Sequence, residues 1–116
     1  MTYRVLALAT LLLASFTADA RAQTAPLDRE ELTRYARTYL AMDAAREAYH
    51  ARIARIHDDV GLARARAELE AQIAEIFVEH AMTSERYGEI TLLVSQDAAV
   101  RGVFEELVSR LRAATT

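Results

Sequence analysis

The sequence predicts an all-α protein, a small antiparallel bundle of about four helices after a cleaved signal peptide. Three observations carry that expectation. Apolar residues recur at three- and four-residue spacing through most of the chain, as helices with one buried face require. No segment alternates apolar and polar residues with period two, and no hairpin dipeptide separates two apolar runs. The only proline, Pro26, precedes everything regular, so no pyrrolidine ring interrupts the helical pattern.

The N-terminal stretch differs from the rest. Arg4 is the only charge ahead of an apolar run of 12 residues, Val5 to Phe16, and small residues follow. A short positive start, an apolar run and an Ala-x-Ala exit read as a secretory signal. Ala18-Asp-Ala20 and Ala20-Arg-Ala22 are competing cleavage sites, and the second is preferred. Residues 1–22 are then the signal, 23–27 a short leader and 28–113 the helical domain. A membrane span needs about 20 apolar residues, so no stable membrane anchor is expected after cleavage. With no cysteine behind the run, no N-terminal lipid anchor is expected either. The expected location is periplasmic or secreted, in a bacterium. Abundant alanine and a complete lack of lysine suit a GC-rich coding bias.

Cysteine is absent altogether, which excludes disulfide staples, thiolate zinc sites, covalent c-type haem and cysteine nucleophiles. The domain must hold itself together by its core. Beyond residue 22 there are 12 arginines against 16 acidic side chains, a net charge of −4. An acidic chain with no basic run is not built to bind nucleic acid.

The elements follow in order. Asp28 offers an N-cap, Glu31 sits at the capping-box position, and Leu27 with Leu32 forms a hydrophobic staple. The first helix is expected over 29–57, with Leu32, Tyr35, Ala36, Tyr39, Met42, Tyr49, Ile53 and Ile56 as its apolar positions. Asp58-Asp59-Val60-Gly61 reads as a turn, because acids disfavour a helix C-terminus and glycine weakens helix. The rival is one unbroken rod over 29–80, about 78 Å long, which would need a partner to cover its stripe. With the turn, a second helix spans 62–80 and packs through Ala63, Ala67, Ile73, Ile76 and Phe77. Thr83 caps a third over 84–94, carrying Tyr87, Ile90, Leu93 and Val94. Asp97 caps a fourth over 98–113, whose Val100, Val103, Phe104, Leu107, Val108 and Leu111 make the cleanest amphipathic stripe.

Two of these segments carry a family resemblance. Glu31-Leu-Thr-Arg-Tyr-Ala-Arg-Thr-Tyr-Leu-Ala-Met-Asp-Ala-Ala-Arg-Glu-Ala-Tyr49 and Met82-Thr-Ser-Glu-Arg-Tyr-Gly-Glu-Ile90, followed by Asp97, resemble the exported bacterial domain of unknown function four-one-six-eight. The resemblance implies a signal peptide and a helical fold, and it implies no activity. Two positions depart from the family pattern. Ala81 stands where a helix-ending glycine is usual, and Gly88 where an asparagine is usual.

Catalytic constellations are thin. Ser84, Ser95 and Ser109 lack a nucleophile-elbow turn and a strand to mount it. The acidic pairs Glu30/Glu31, Asp58/Asp59 and Glu105/Glu106 are sequence neighbours that diverge by about 100° on a helix, unlike an acid–base pair. The three glycines are isolated and form no phosphate loop. Glu47 and His50 have the Glu-x-x-His spacing of a di-metal bundle, but no second such pair exists. His50 and His57 lie two turns apart, about 10 Å, too far to share one ion unaided. No catalytic, cofactor-binding or metal residue is therefore assigned, and the chain is not expected to be an enzyme.

The expected function is a non-enzymatic protein-interaction module of the cell envelope. Its candidate surface is the stripe Tyr35, Tyr39, Met42 and Tyr49; such a stripe more often marks core or helix–helix packing, and an exposed face for a partner chain is the alternative. The partner would be a second copy, through the first helix, or an envelope protein. The alternative is a small apolar-ligand binder with a pocket between helices, lined by Tyr87, Ile90, Phe104 and Leu107.

Overall fold

Asp28 begins the first helix as its sequence context predicts, its carboxylate accepting the Glu31 amide at 2.7 Å. In the computed structural model, which describes residues 26–115, α1 runs Arg29–Ile53, α2 Asp59–Glu79, α3 Ser84–Gln96 and α4 Ala98–Ala114. The protein is all-α, four helices packed together, with no strand among the described residues. The proposed signal and cleavage sites lie outside those residues.

The α1–α2 junction is a turn, placed earlier than the spacing predicts. The end of α1 tightens through three-residue bonds, Arg55 N–H to Arg52 C=O and Ile56 N–H to Ile53 C=O, both at 3.1 Å. Asp58 is the N-cap of α2 and accepts the Gly61 amide at 2.7 Å, which draws Asp59, Val60 and Gly61 into its first turn. Gly61 is thus part of the helix start. A Cβ there would meet Ile56 Cγ2 at 2.7 Å and Asp58 Oδ1 at 2.8 Å, so the missing side chain is what lets the cap fold back.

The end of α2 is a Schellman turn. Met82 N–H reaches Phe77 C=O at 3.0 Å and Ala81 N–H reaches Val78 C=O at 3.1 Å. Ala81 takes φ 49°, the left-handed conformation that glycine adopts freely and a Cβ resists. Thr83 then caps α3 through the Arg86 amide at 3.1 Å. Asp97 closes α3 and caps α4, accepting the Ala99 and Val100 amides at 2.9 and 3.2 Å. Arg101 folds back onto the Val94 and Ser95 carbonyls at 3.1 and 2.6 Å, satisfying acceptors that the end of α3 leaves open.

The spine of the fold is α1, which packs against each of the other helices, while α3 and α4 also pack on one another. Its N-terminal half joins α3 and α4 in one core: Leu32, Tyr35, Ala36, Met82, Ile90, Leu107 and Val108. Its C-terminal half lies along α2 in a smaller one: Met42, Ala45 and Ile76. Phe77 and Tyr87 border both clusters and join them. The first region is called the body below, and the α1–α2 extension the arm.

Candidate interaction surface

The tyrosine stripe of α1 divides between core and rim. Tyr35 is 2% exposed and Met42 3%, so both are spent on packing within the chain. Tyr39 and Tyr49 are half-buried. Tyr35 sits at the centre of a ring network, 4.8 Å from Tyr87 and 5.5 Å from Phe104, and Phe104 meets Tyr39 edge-on at 5.2 Å. Phe77 meets Tyr87 at 5.5 Å, so every helix contributes a ring. The Tyr35 hydroxyl donates to Thr91 Oγ1 at 2.9 Å, and Thr91 donates onward to the Tyr87 carbonyl at 2.8 Å. The stripe expected as one docking face is therefore split: α3 and α4 cover Tyr35, α2 covers Met42, and Tyr39 and Tyr49 stay partly open.

The same rings fill the place of the expected pocket lined by Tyr87, Ile90, Phe104 and Leu107, and an apolar groove between helices opens instead where Leu27 and Leu32 face Val100 and Val103. Ile90 is fully buried, and Leu107 is buried beside it in the same core. The Tyr35 ring occupies the space between Tyr87 and Phe104 where a ligand would have to enter. A shallow groove does reach Phe104, but its other walls are Tyr39, Glu105, Val108, Ser109 and Arg112, a mixed polar and apolar rim open to water.

Electrostatics lock the body. Arg86 grips both oxygens of Glu31, with Nε to Oε2 at 3.0 Å and Nη2 to Oε1 at 2.5 Å, and gives Nη1 to Glu89 at 2.9 Å. Both partners of the fork are largely covered. The Arg86 hydrogen bonds hold the Glu31 carboxyl below its ordinary pKa of 4.5, outweighing the opposite push of burial. Arg86 is in turn held protonated by Glu31 and Glu89. Burial, with Tyr35 nearby, raises the Tyr87 phenol to about 12.

The arm is fastened differently. Arg52 reaches from α1 to Glu68 at 2.5 Å and to the Ala65 carbonyl at 3.1 Å, leaving shallow grooves on either side. Glu47, His50 and His57 are exposed, and His80 is the half-buried C-cap of α2. Among the described residues no three His, Asp or Glu side chains converge as a metal site, and no helix is long and apolar enough to cross a membrane.

The face that sequence reasoning missed is the outer side of α2. Ala63 and Ala67, expected to pack inward, are exposed, and α2 buries Ala65 and Ile76 instead. Outward stand Val60, Ala63, Ala67, Ala71, Ala74 and Val78, all exposed, with Val60 at 70% and Val78 at 81%. Their spacing repeats after 11 residues, Val60 with Ala71, Ala63 with Ala74 and Ala67 with Val78. That period, about 3.67 residues per turn, keeps a stripe nearly straight along an ordinary helix. The repeat was the available signal, and it was hidden because alanine fills both faces.

Comparison with known proteins places the chain in one family. Residues 28–102 match the family described as Domain of unknown function (DUF4168). No curated protein and no solved structure matches the chain significantly.

Proposed function

We propose that this chain, which belongs to the DUF4168 family, is an exported, non-enzymatic protein-interaction module of the bacterial cell envelope, working through the outer face of α2. The observation that carries this reading is the apolar stripe from Val60 to Val78 on the side of α2 turned away from α1. Scattered surface apolar residues are ordinary, whereas a continuous row the length of a helix marks a contact surface. Another helix is the natural occupant, because alanines let two helix backbones approach closely. The body then serves as the scaffold that fixes the arm.

A photoreactive residue in place of Ala71, expressed in bacteria and compared with one at Ser109 on α4, tests the reading. We expect polypeptide adducts at position 71 well above those at position 109. Equal or absent adducts at position 71 would overturn it.

A further inference from the structure

We infer that the outer face of α2 pairs with the same face of a second copy of this chain, antiparallel about a two-fold axis near the middle of the helix. The inference rests on the interaction-module reading above and names the partner. Its warrant is the distribution of charge beside the stripe. Beside the stripe, Arg64 and Arg66 stand in the N-terminal half of α2 and Glu70 and Glu75 in the C-terminal half; Asp59 and Glu79 add an acid at each end, and Glu68 is engaged by Arg52. Arg64, Arg66, Glu70 and Glu75 are all exposed, and none of them makes an ion pair within the described residues.

Helical geometry then selects one pairing. Arg64 and Glu75 flank one edge of the stripe, 11 residues apart and so unable to meet within one helix. Arg66 and Glu70 flank the other edge. In an antiparallel pair each edge faces its own counterpart running the opposite way. With the axis between Leu69 and Glu70, Arg64 lies opposite Glu75 of the second copy, twice by symmetry; on the other edge the two Glu70 side chains come together at the axis, each within one turn of Arg66 of the other copy. Val60 of each chain comes beside Val78 of the other, covering the two most exposed valines. A parallel pair in register sets arginines beside arginines and glutamates beside glutamates. Such self-complementarity under a two-fold is what an isologous interface requires. A seam of one helix about 31 Å long, built mostly of alanine, is narrower than the roughly 20–30 residues a side that a standard interface engages. The dimer is accordingly weak and dependent on concentration.

The test is sedimentation equilibrium of the purified protein from low micromolar to millimolar concentration, with circular dichroism to establish that each variant is folded. We expect reversible dimers. Arg64→Glu and Glu75→Arg each weaken dimerisation about tenfold, the scale of two exposed ion pairs replaced by repulsion. The double variant Arg64→Glu/Glu75→Arg restores it, and mixing the two single variants gives a heterodimer. Tyr39→Glu leaves dimerisation in place, since that residue lies on the body. A monomer at all concentrations would overturn the inference while leaving the interaction-module reading to the photocrosslinking result. Dimers indifferent to both single substitutions, or a double variant as weak as the singles, would overturn the antiparallel pairing.

Discussion

The body and the arm share one helix, yet they are built on different principles. In the body, the N-terminal half of α1 meets α3 and α4 through large side chains: Tyr35, Ile90, Phe104, Leu107 and Val108. Rings from four helices touch, and a forked Arg86–Glu31 pair ties residues 55 apart in sequence. In the arm, the rest of α1 meets chiefly α2, through Met42, Ala45, Ala65, Leu69 and Ile76, and Arg52 is its only ion-pair tie to α2 among the described residues. A three-helix core surrounds its residues, whereas a helix pair covers only one side of each helix. The difference teaches that stability and accessibility have been separated along α1. The body holds the fold, and the arm carries a face that nothing within the described residues covers.

Substitutions that probe packing should break the comparison most visibly. Ile90→Ala removes a fully buried side chain from the body and should cost about 2–5 kcal/mol in denaturant unfolding. Leu69→Ala, in the half-open arm, should cost less than about 2 kcal/mol, because water already reaches part of its surface. Equal losses would mean that the two regions are one core.

The ion pair gives the next largest effect. Glu31→Gln should destabilise the protein by about 1 kcal/mol at neutral pH, a charge-assisted hydrogen bond discounted for partial exposure. The sign with pH is fixed by the lowered pKa of Glu31. Its contribution is complete above the unfolded value of 4.5 and disappears as pH falls through the lower folded value. The wild type should therefore lose its advantage over Glu31→Gln in acid, as urea midpoints across that range would record. At the alkaline end, Tyr87 should ionise near pH 12 by ultraviolet titration, later than an ordinary tyrosine at 10. The stability linked to it is complete below pH 10 and declines above.

Backbone substitutions sharpen the contrast further. Gly88→Ala and Gly102→Ala meet nothing within 4 Å, and each should stabilise its helix by up to about 1 kcal/mol. Gly61→Ala should do the reverse by about 1 kcal/mol, since the new methyl group collides with Ile56 and the Asp58 cap. Ala81→Gly should gain about 1 kcal/mol by relieving the left-handed backbone at φ 49°. Thermal unfolding of the four variants is the check.

Local chemistry made much of this legible in advance. Asp28, Thr83 and Asp97 cap the helices their neighbours predict, because a cap is decided within four residues. The stripe of α4 is likewise found facing the core, its valines, phenylalanine and leucines clustered on one side. Two things depended on distant residues. The tyrosines of α1 share a face by periodicity, but only the arrival of α3 and α4 decides which of them are covered. On α2, alanines at 63, 65, 67, 71 and 74 point in several directions, and alanine is too small to say which side is the core. The Arg86–Glu31 pair joins residues that no local spacing connects.

The measurement closest to the central claim is amide hydrogen exchange, resolved along the chain and followed in dilute and in concentrated solution. In dilute solution we expect the first turns of α2, residues 59–66, to exchange well before the α3 segment around Ile90, and concentration to slow exchange in the arm alone. An arm as protected as the body in dilute solution, or slowing spread evenly over both, would contradict the division of labour drawn from this fold.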